Sequence, residues 1–360
     1  MQDKQFECGQ CGASLEFAPG SDALTCPYCG HENVIDRVVE QIEELDYHRV
    51  LAEAMAGEEL EERYEVKCGS CGASATLDPN VSADECPFCG TPVVKTGTTT
   101  RQLKPKALLP FKIRSEEARI AFHDWIQGLW FAPNALKKRG KQSERLQGVY
   151  MPYWTYDCGT VSAYTGSRGE YYWDTVTRTV TVNGKTERRT EQVRKTRWYP
   201  ARGRVSNTFD DVLVLASESL PKKETDALEP WDLGNLEPYQ DEYLSGFKAE
   251  SYRVNLETGF GQAKYKMDPV IRQTIRRDIG GDEQRISQVA TDYHNITFKH
   301  VLLPIWISAY RYHKKIYRFL VNGRTGEVQG ERPWSWVKIT FAVLAGALVV
   351  GAIVYATQGQ

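Results

Sequence analysis

The chain has 360 residues, of which 41% are hydrophobic and 26% charged, with a formal net charge of -2. That composition excludes a wholly disordered chain, a collagen-like polymer and a polytopic membrane protein, and the length leaves room for more than one domain. The near-zero charge argues against a strongly basic nucleic-acid binder, but it averages two unlike regions: residues 1–92 carry 19 acidic against 5 basic side chains, about -14, and the remaining 268 residues about +12.

The acidic region holds eight of the nine cysteines, as Cys8, Cys11, Cys26 and Cys29, then Cys68, Cys71, Cys86 and Cys89, each following its counterpart by 60 positions. CGQCGASLEF is answered by CGSCGASATL and CPYCG by CPFCG, so a unit of about 30 residues is duplicated. In each unit two CxxC pairs flank 14 residues, the spacing of a closed, tetrahedral, structural zinc site. Gly12, Gly30, Gly72 and Gly90 suit the left-handed turn after each second cysteine, and Pro27 and Pro87 stiffen the second turn. A segment this short cannot bury enough apolar surface to fold alone, so each metal would supply the missing free energy. Two zinc ribbons are therefore expected, over 1–33 and 65–94, holding two structural Zn2+. Redox-active CxxC motifs would call for a βαβ pattern nearby, which the sequence does not show, and a pair of disulfides per unit is the other competing reading. It is disfavoured because MQDKQFECGQ lacks the apolar run of a signal peptide, which points to a reducing compartment. His31 reads as a surface residue.

Between the ribbons, Val34, Val38, Ile42 and Leu45 recur at helical spacing among acidic residues, which predicts an acidic amphipathic linker over 34–64, helical from about 34 to 62. Residues 1–65 offer 4 basic against 16 acidic groups. Phosphate contact needs the opposite balance, so the ribbons and the linker are expected to face protein.

A mixed α+β domain with antiparallel sheet is expected over 105–335. LLPFKI at 108–113 reads as a strand, followed by a helix with Ser115 as N-cap and Ile120, Trp125 and Leu129 along it. VYMPYWTYD at 149–157 and VLLPIWISAY at 301–310 match at Val149, Pro152 and Trp154 against Val301, Pro304 and Trp306, a constant offset of 152. Each is preceded by a helix-like stretch, the second over about 255–279, which hints at a duplicated helix-plus-strand unit. Residues 171–204 read as a long hairpin with a type I′ turn at Asn183-Gly184. Residues 178–204 hold nine basic against two acidic residues. Arg178, Arg188, Arg189, Arg194, Lys195 and Arg197 are the candidate contacts for nucleic acid, anionic lipid or an acidic protein surface, with a merely solvated arm as the alternative. A last hairpin is expected with strands near 309–321 and 326–330 and its turn at Asn322-Gly323.

Residues 339–356, ITFAVLAGALVVGAIVYA, are 18 consecutive uncharged, mostly apolar residues. A helix of that length spans about 27 Å, close to a bilayer's hydrocarbon core. Eight Lys or Arg against two Glu over 299–338 place the body on the cytoplasmic side by the positive-inside rule. Trp334, Trp336 and Tyr355 mark the two interfaces. Ala342 with Gly346 and Ala347 with Gly351 are small-residue pairs that could support helix association, hence a homo-oligomer.

No catalytic constellation is legible. Gly184-Lys185-Thr186 imitates the end of a phosphate loop, but Thr179 stands where its first glycine is needed. The six histidines form no metal motif, with His294 and His300 expected on strands. Cys158 reads as a buried structural thiol.

The paired CxxC modules, GVYMPYWTYD, VNGRTGEVQGERPWSW and the apolar C-terminal helix together resemble the bacterial membrane-anchored proteins with TFIIB-type zinc ribbons. That family is often labelled primosomal protein N′ (replication factor Y)-like, and the resemblance links it to phage-shock and SPFH-type envelope systems. It implies a membrane scaffold or recruitment role, with the eight cysteines as metal ligands. The expected function is a non-enzymatic, membrane-anchored cytoplasmic adaptor. The alternatives are a nucleic-acid binder acting through the basic hairpin, and an enzyme with a pocket that no motif reveals.

Overall fold

The computed structural model describes residues 6–36, 40–56, 60–70, 73–76, 83–86, 88, 91–94, 98–133, 146–182, 185–312, 315–332 and 334–358. The elements begin with β1 (Glu16–Phe17), β2 (Ala23–Thr25), β3 (Glu32–Val34), β4 (Leu45–Asp46) and α1 (Tyr47–Ala56). Next come β5 (Leu60–Lys67), β6 (Ser74–Thr76), β7 (Ala83–Glu85), β8 (Pro92–Val94), β9 (Thr98–Leu103), β10 (Ala107–Leu108) and α2 (Ser115–Gly128). Two long strands follow, β11 (Gln147–Val182) and β12 (Lys185–Leu215), and then α3 (Lys222–Asp226), β13 (Glu237–Pro238), β14 (Lys248–Ala249) and α4 (Leu256–Ile279). The chain closes with β15 (Glu283–Tyr312), β16 (Lys315–Asn322), β17 (Val328–Gly330) and α5 (Trp336–Gln358). The class is mixed α+β with mainly antiparallel sheets, as the sequence indicates.

The central sheet is built twice over. Strands β11 and β15 run antiparallel from Gln147↔Ile307 to Gly169↔Glu283. On its other side β11 takes the short parallel strand β14 at Val149↔Lys248 and then its hairpin mate β12 from Tyr153↔Leu215. β15 repeats this with β10 at Val301↔Ala107 and β16 from Ile305↔Asn322. The long strands thus match at an offset of 152 and the short strands at 141. The two matched tryptophans close the exchange between halves. Trp154 Nε1 donates to Val254 O just ahead of α4, and Trp306 Nε1 donates to Ile113 O just ahead of α2, both at 2.9 Å. Those two carbonyls are also 141 positions apart, so each half's tryptophan fixes the helix of the other. The duplicated unit is a short strand, a helix and a long hairpin.

Strand alternation sends successive side chains to opposite faces. Val149, Met151, Tyr153, Val301, Leu303 and Ile305 fill one face with Leu220, Leu228 and Phe88. On the other face Tyr150, Leu302 and Trp306 meet α2 through Ala118, Phe122 and Ile126, while Trp154, Tyr156 and Phe298 meet α4. Burial on both faces is why these strands read as nearly continuous apolar runs. α4 buries Leu256, Phe260, Ala263, Met267, Ile271, Ile275 and Ile279, spaced by three or four along one stripe. Asn255 Oδ1 caps it by accepting from Thr258 N at 2.8 Å. Gly259 lets the helix approach the sheet, since a Cβ there would lie 2.4 Å from the Tyr156 hydroxyl oxygen.

Several expectations need correction. Among the described residues the linker is helical over Tyr47–Ala56 alone. Val34 lies exposed in β3, Leu45 pairs with Phe298 as part of β4, and Val38 falls outside the described residues. A chain crossing the surface of the body satisfies the same apolar spacing that a helix would. Ser115 is the first helical residue and Arg114 the cap, its N–H donating to Glu117 Oε2 at 2.8 Å. Ile120 is exposed, because the buried stripe is Ala118, Phe122 and Ile126. The strand expected near 309–321 is two strands, β15 and β16, and their connection at 313–314 lies outside the described residues. The hairpin of 171–204 is the outer part of a longer one, β11 with β12.

Candidate metal centre, projecting arm and apolar helix

The first ribbon folds around its cysteines. Cys8 N donates to Ala13 O at 2.8 Å and Cys26 N to His31 O at 2.9 Å, and Gly12 and Gly30 take φ of 72° and 71° in the turns after the second cysteines. The sulfurs of Cys8, Cys11, Cys26 and Cys29 all lie within 4.8 Å of one another, with Cys8 to Cys29 and Cys11 to Cys26 at 3.5 Å. Tetrahedral zinc with Zn–S bonds of about 2.3 Å requires sulfurs about 3.8 Å apart, so the four ligands fit the ion and leave no open position. A backbone N–H from Cys29 brings the Cys26 thiol down to about 6, in favour of the thiolate that a metal needs. Cys29 is pushed up to about 12: the His31 N–H pulls it down, but burial and the neighbouring sulfurs of Cys8, Cys26 and Cys11 outweigh that. A dication among them would replace the shared protons.

This ribbon is not a free acidic arm. Leu15, Phe17, Leu24 and Cys26 join the core beneath α2, with the Phe17 ring 5.2 Å from that of Tyr243. Phe17 N donates to Ser245 O, Ser245 Oγ to Leu15 O, and Gly20 N to Phe111 O. Cys11 and Cys29 remain exposed on its outer side, next to exposed Tyr28.

In the second cysteine segment Cys68 N donates to Ala73 O at 2.7 Å and Cys86 N to Thr91 O at 2.9 Å, the bonds of the first ribbon shifted by 60 positions. Cys68 and Cys86 are buried, and Phe88 enters the opposite face of the central sheet, its carbonyl accepting from Arg318 Nε at 3.3 Å. Cys71 and Cys89 lie outside the described residues.

Beyond Gly169 no third strand accompanies the β11–β12 hairpin among the described residues, and thirteen further pairs run from Glu170↔Arg197 to Val182↔Lys185. At about 3.4 Å per residue that arm projects about 44 Å. The Asn183-Gly184 turn lies outside the described residues. The register places Arg178, Arg189, Lys195 and Arg197 on one face and Arg188 and Arg194 on the other, so the six candidates form no single basic surface. Near the base the charges are used internally. Lys195 pairs with Asp174, Arg194 lies 4.1 Å from the Tyr171 ring centre and Arg197 4.8 Å from that of Tyr172. Toward the tip Arg178 stands directly opposite Arg189, with Arg188 beside them, all exposed and joined to no carboxylate among the described residues.

A charged cluster that the sequence did not reveal lies within the central sheet, where β11, β12 and β15 pass beside β4. Lys299 Nζ, nearly buried, reaches Asp211 Oδ1 at 2.9 Å, Glu44 Oε1 at 3.1 Å and Asp157 Oδ2 at 3.7 Å. Irregularities in both ladders beside Asp157, with φ of 50° at Asp211 and Asn295, make room for it. Burial pushes Asp157 up to about 6 against the Asp211 N–H and Lys299. Burial would lower Lys299, yet its bonds to Asp211 and Glu44 raise it further. Glu44 stays low, because Thr297 and Lys299 outweigh its burial. The one legible hint was an aspartate inside the apolar run VYMPYWTYDCG. Cys158 is the structural thiol expected, buried against Met267 Sδ at 3.7 Å, and His294 and His300 lie on β15.

The helix α5 contains a span, Trp336–Val354, of mean hydropathy 2.3, long and apolar enough to cross a membrane, and none of it is buried in the body. A soluble core helix of that hydropathy would be covered. No family model matches the chain and no solved structure matches it. The chain is similar to an uncharacterized Bacillus subtilis (strain 168) protein, YdjG, at 26% identity over 357 residues, covering 95% of this chain and 94% of that protein.

Proposed function

We propose that the protein is a single-pass membrane adaptor whose body faces the cytoplasm, carries two structural zinc ions and offers its β-arm to an acidic protein surface. The observation that carries this reading is the arm. Thirteen strand pairs extend past the sheet, and their outer half carries Arg178, Arg188 and Arg189. Like charges directly opposite across a ladder are unfavourable, so the Arg178–Arg189 pair costs stability unless an anionic group is bound. The exposed, uncovered α5 supports the membrane anchor, and the basic flank of that helix supports the cytoplasmic side. The repeated backbone bonds at an offset of 60 support a second zinc on Cys68, Cys71, Cys86 and Cys89. The ribbons act as staples: the first spends its apolar surface on the body, so the arm takes over the partner-facing role expected of the ribbons.

A protein partner fits better than nucleic acid. Over residues 170–197 seven basic side chains stand against four acidic ones and the cations divide between two faces, whereas phosphate binding rewards a continuous basic track. A photo-crosslinking residue at Trp173 of the full-length chain in intact cells, on the face of Arg188, should yield a discrete protein adduct that is lost when Arg178, Arg188 and Arg189 are together replaced by glutamate, which removes the cations of both faces. Crosslinks to nucleic acid alone, or none at all, would overturn the adaptor reading.

A further inference from the structure

We propose that the turn after α2, residues 129–132, forms with Trp334 and Trp336 an aromatic collar seated in the headgroup layer, so that the body rests on the bilayer instead of swinging from α5. This rests on reading α5 as a transmembrane helix. Trp130 is 77% exposed, Trp336 79% and Trp334 52%. In water such surface is unfavourable, whereas the membrane interface holds tryptophan rings with their apolar body in the acyl boundary and their N–H in the headgroups.

The turn is tied to the start of α5 at three points. Ser335 N donates to Phe131 O at 2.8 Å, and Lys338 Nζ donates to Trp130 O at 3.2 Å and Ala132 O at 2.9 Å. The Phe131 and Trp334 rings stand 6.3 Å apart, and the Arg332 guanidinium lies 4.6 Å from the Trp334 ring centre. Lys338 is the key side chain. It falls inside the apolar span, where a charge is costly. Its stem snorkels back to the carbonyls of the turn after α2, which satisfies the ammonium and fixes Trp130 at the depth where α5 enters the bilayer. Continuity with that helix identifies the bilayer as the surface that covers the exposed rings.

Quenching of tryptophan emission tests this in the full-length chain, reconstituted in phosphatidylcholine–phosphatidylglycerol vesicles. Subtracting the emission of Trp130→Phe from that of the unsubstituted chain isolates Trp130, and Trp336→Phe isolates the helix start. The Trp130 signal should lose most of its intensity to lipid brominated in the upper acyl chain and little to aqueous iodide, and Lys338→Gln should shift it toward iodide. If Trp336 is quenched by lipid while Trp130 is quenched only by iodide, the collar is wrong and the transmembrane helix stands. If neither is quenched by lipid, the transmembrane reading falls and the collar with it.

Discussion

The two halves of the central sheet share one plan and end differently. Each has a short parallel strand, a helix and a long hairpin, and each tryptophan bonds to a carbonyl ahead of the other half's helix. Among the described residues the first half's hairpin grows into an arm of thirteen pairs that no third strand accompanies, while the second half's hairpin reaches the pair Tyr312↔Lys315 and the chain passes through β17 to the apolar helix. The shared part is buried and apolar; the divergent parts are exposed and charged, or exposed and apolar. The duplicated core therefore supplies stability, and the outgrowths are where the halves can differ without loss of that core.

The core should be the most sensitive to change. Trp154→Ala and Trp306→Ala should each cost about 3–5 kcal/mol in denaturation of the solubilised chain, because each removes a large buried ring and orphans a carbonyl. Similar costs would confirm that the halves are energetically equivalent; a small cost at one would show that its half depends on other contacts. Next in size, replacing Cys26 and Cys29 by serine should lower bound zinc from two equivalents to one. It should also reduce hydrogen-exchange protection at Leu15 and Phe17 by on the order of 2–3 kcal/mol of local opening free energy. Retention of both equivalents would contradict the assignment of the first site.

A smaller effect belongs to the charged cluster inside the central sheet. Asp157 is raised to about 6, above its value in an unfolded chain, so its protonated form favours the folded state and that contribution is lost as pH rises through 6. Lowering the pH from 7 to 5 should add stability at a slope of up to about 1 kcal/mol per pH unit, and Asp157→Asn should remove that slope in thermal unfolding. Glu44 works in the opposite sense, since its lowered value gives stability that is lost only as pH falls below the ordinary carboxylate range. Lys299, raised, holds its contribution until strongly alkaline pH. The least effect is expected from the arm: replacing residues 174–193 by a two-residue Asn-Gly turn should leave stability within about 0.5 kcal/mol while abolishing the Trp173 crosslink. A loss comparable to that of Trp154→Ala would mean that the arm is part of the core.

What could be read from the sequence follows from how local the chemistry is. The cysteine repeat was legible because metal ligation imposes fixed spacing on neighbouring residues, and the first site assembles as that spacing implies. The match of Val149, Pro152 and Trp154 to Val301, Pro304 and Trp306 was legible because these strands carry the buried centre. The other half of the repeat was hidden: Ala107 and Leu108 share no identity with Lys248 and Ala249, although they pair in equivalent positions. The linker misled because its apolar residues serve separate contacts, with Leu45 on β15 and Ile42 against the opposite face of the sheet. Glu44, Asp157, Asp211 and Lys299 meet only in three dimensions. Trp130 gave no signal until its carbonyl was seen bonded to Lys338.

The central claim is a zinc-stapled body held at the cytoplasmic face of a membrane with its arm free. Limited trypsin treatment of right-side-out and inverted membrane vesicles carrying the full-length chain tests it directly, because Arg188 and Arg189 are exposed cleavage sites on the arm. The account predicts a protein that stays with the membrane through alkaline carbonate washing and is cut at the arm only in inverted vesicles. Release by carbonate, or cleavage of the arm in right-side-out vesicles, would contradict it.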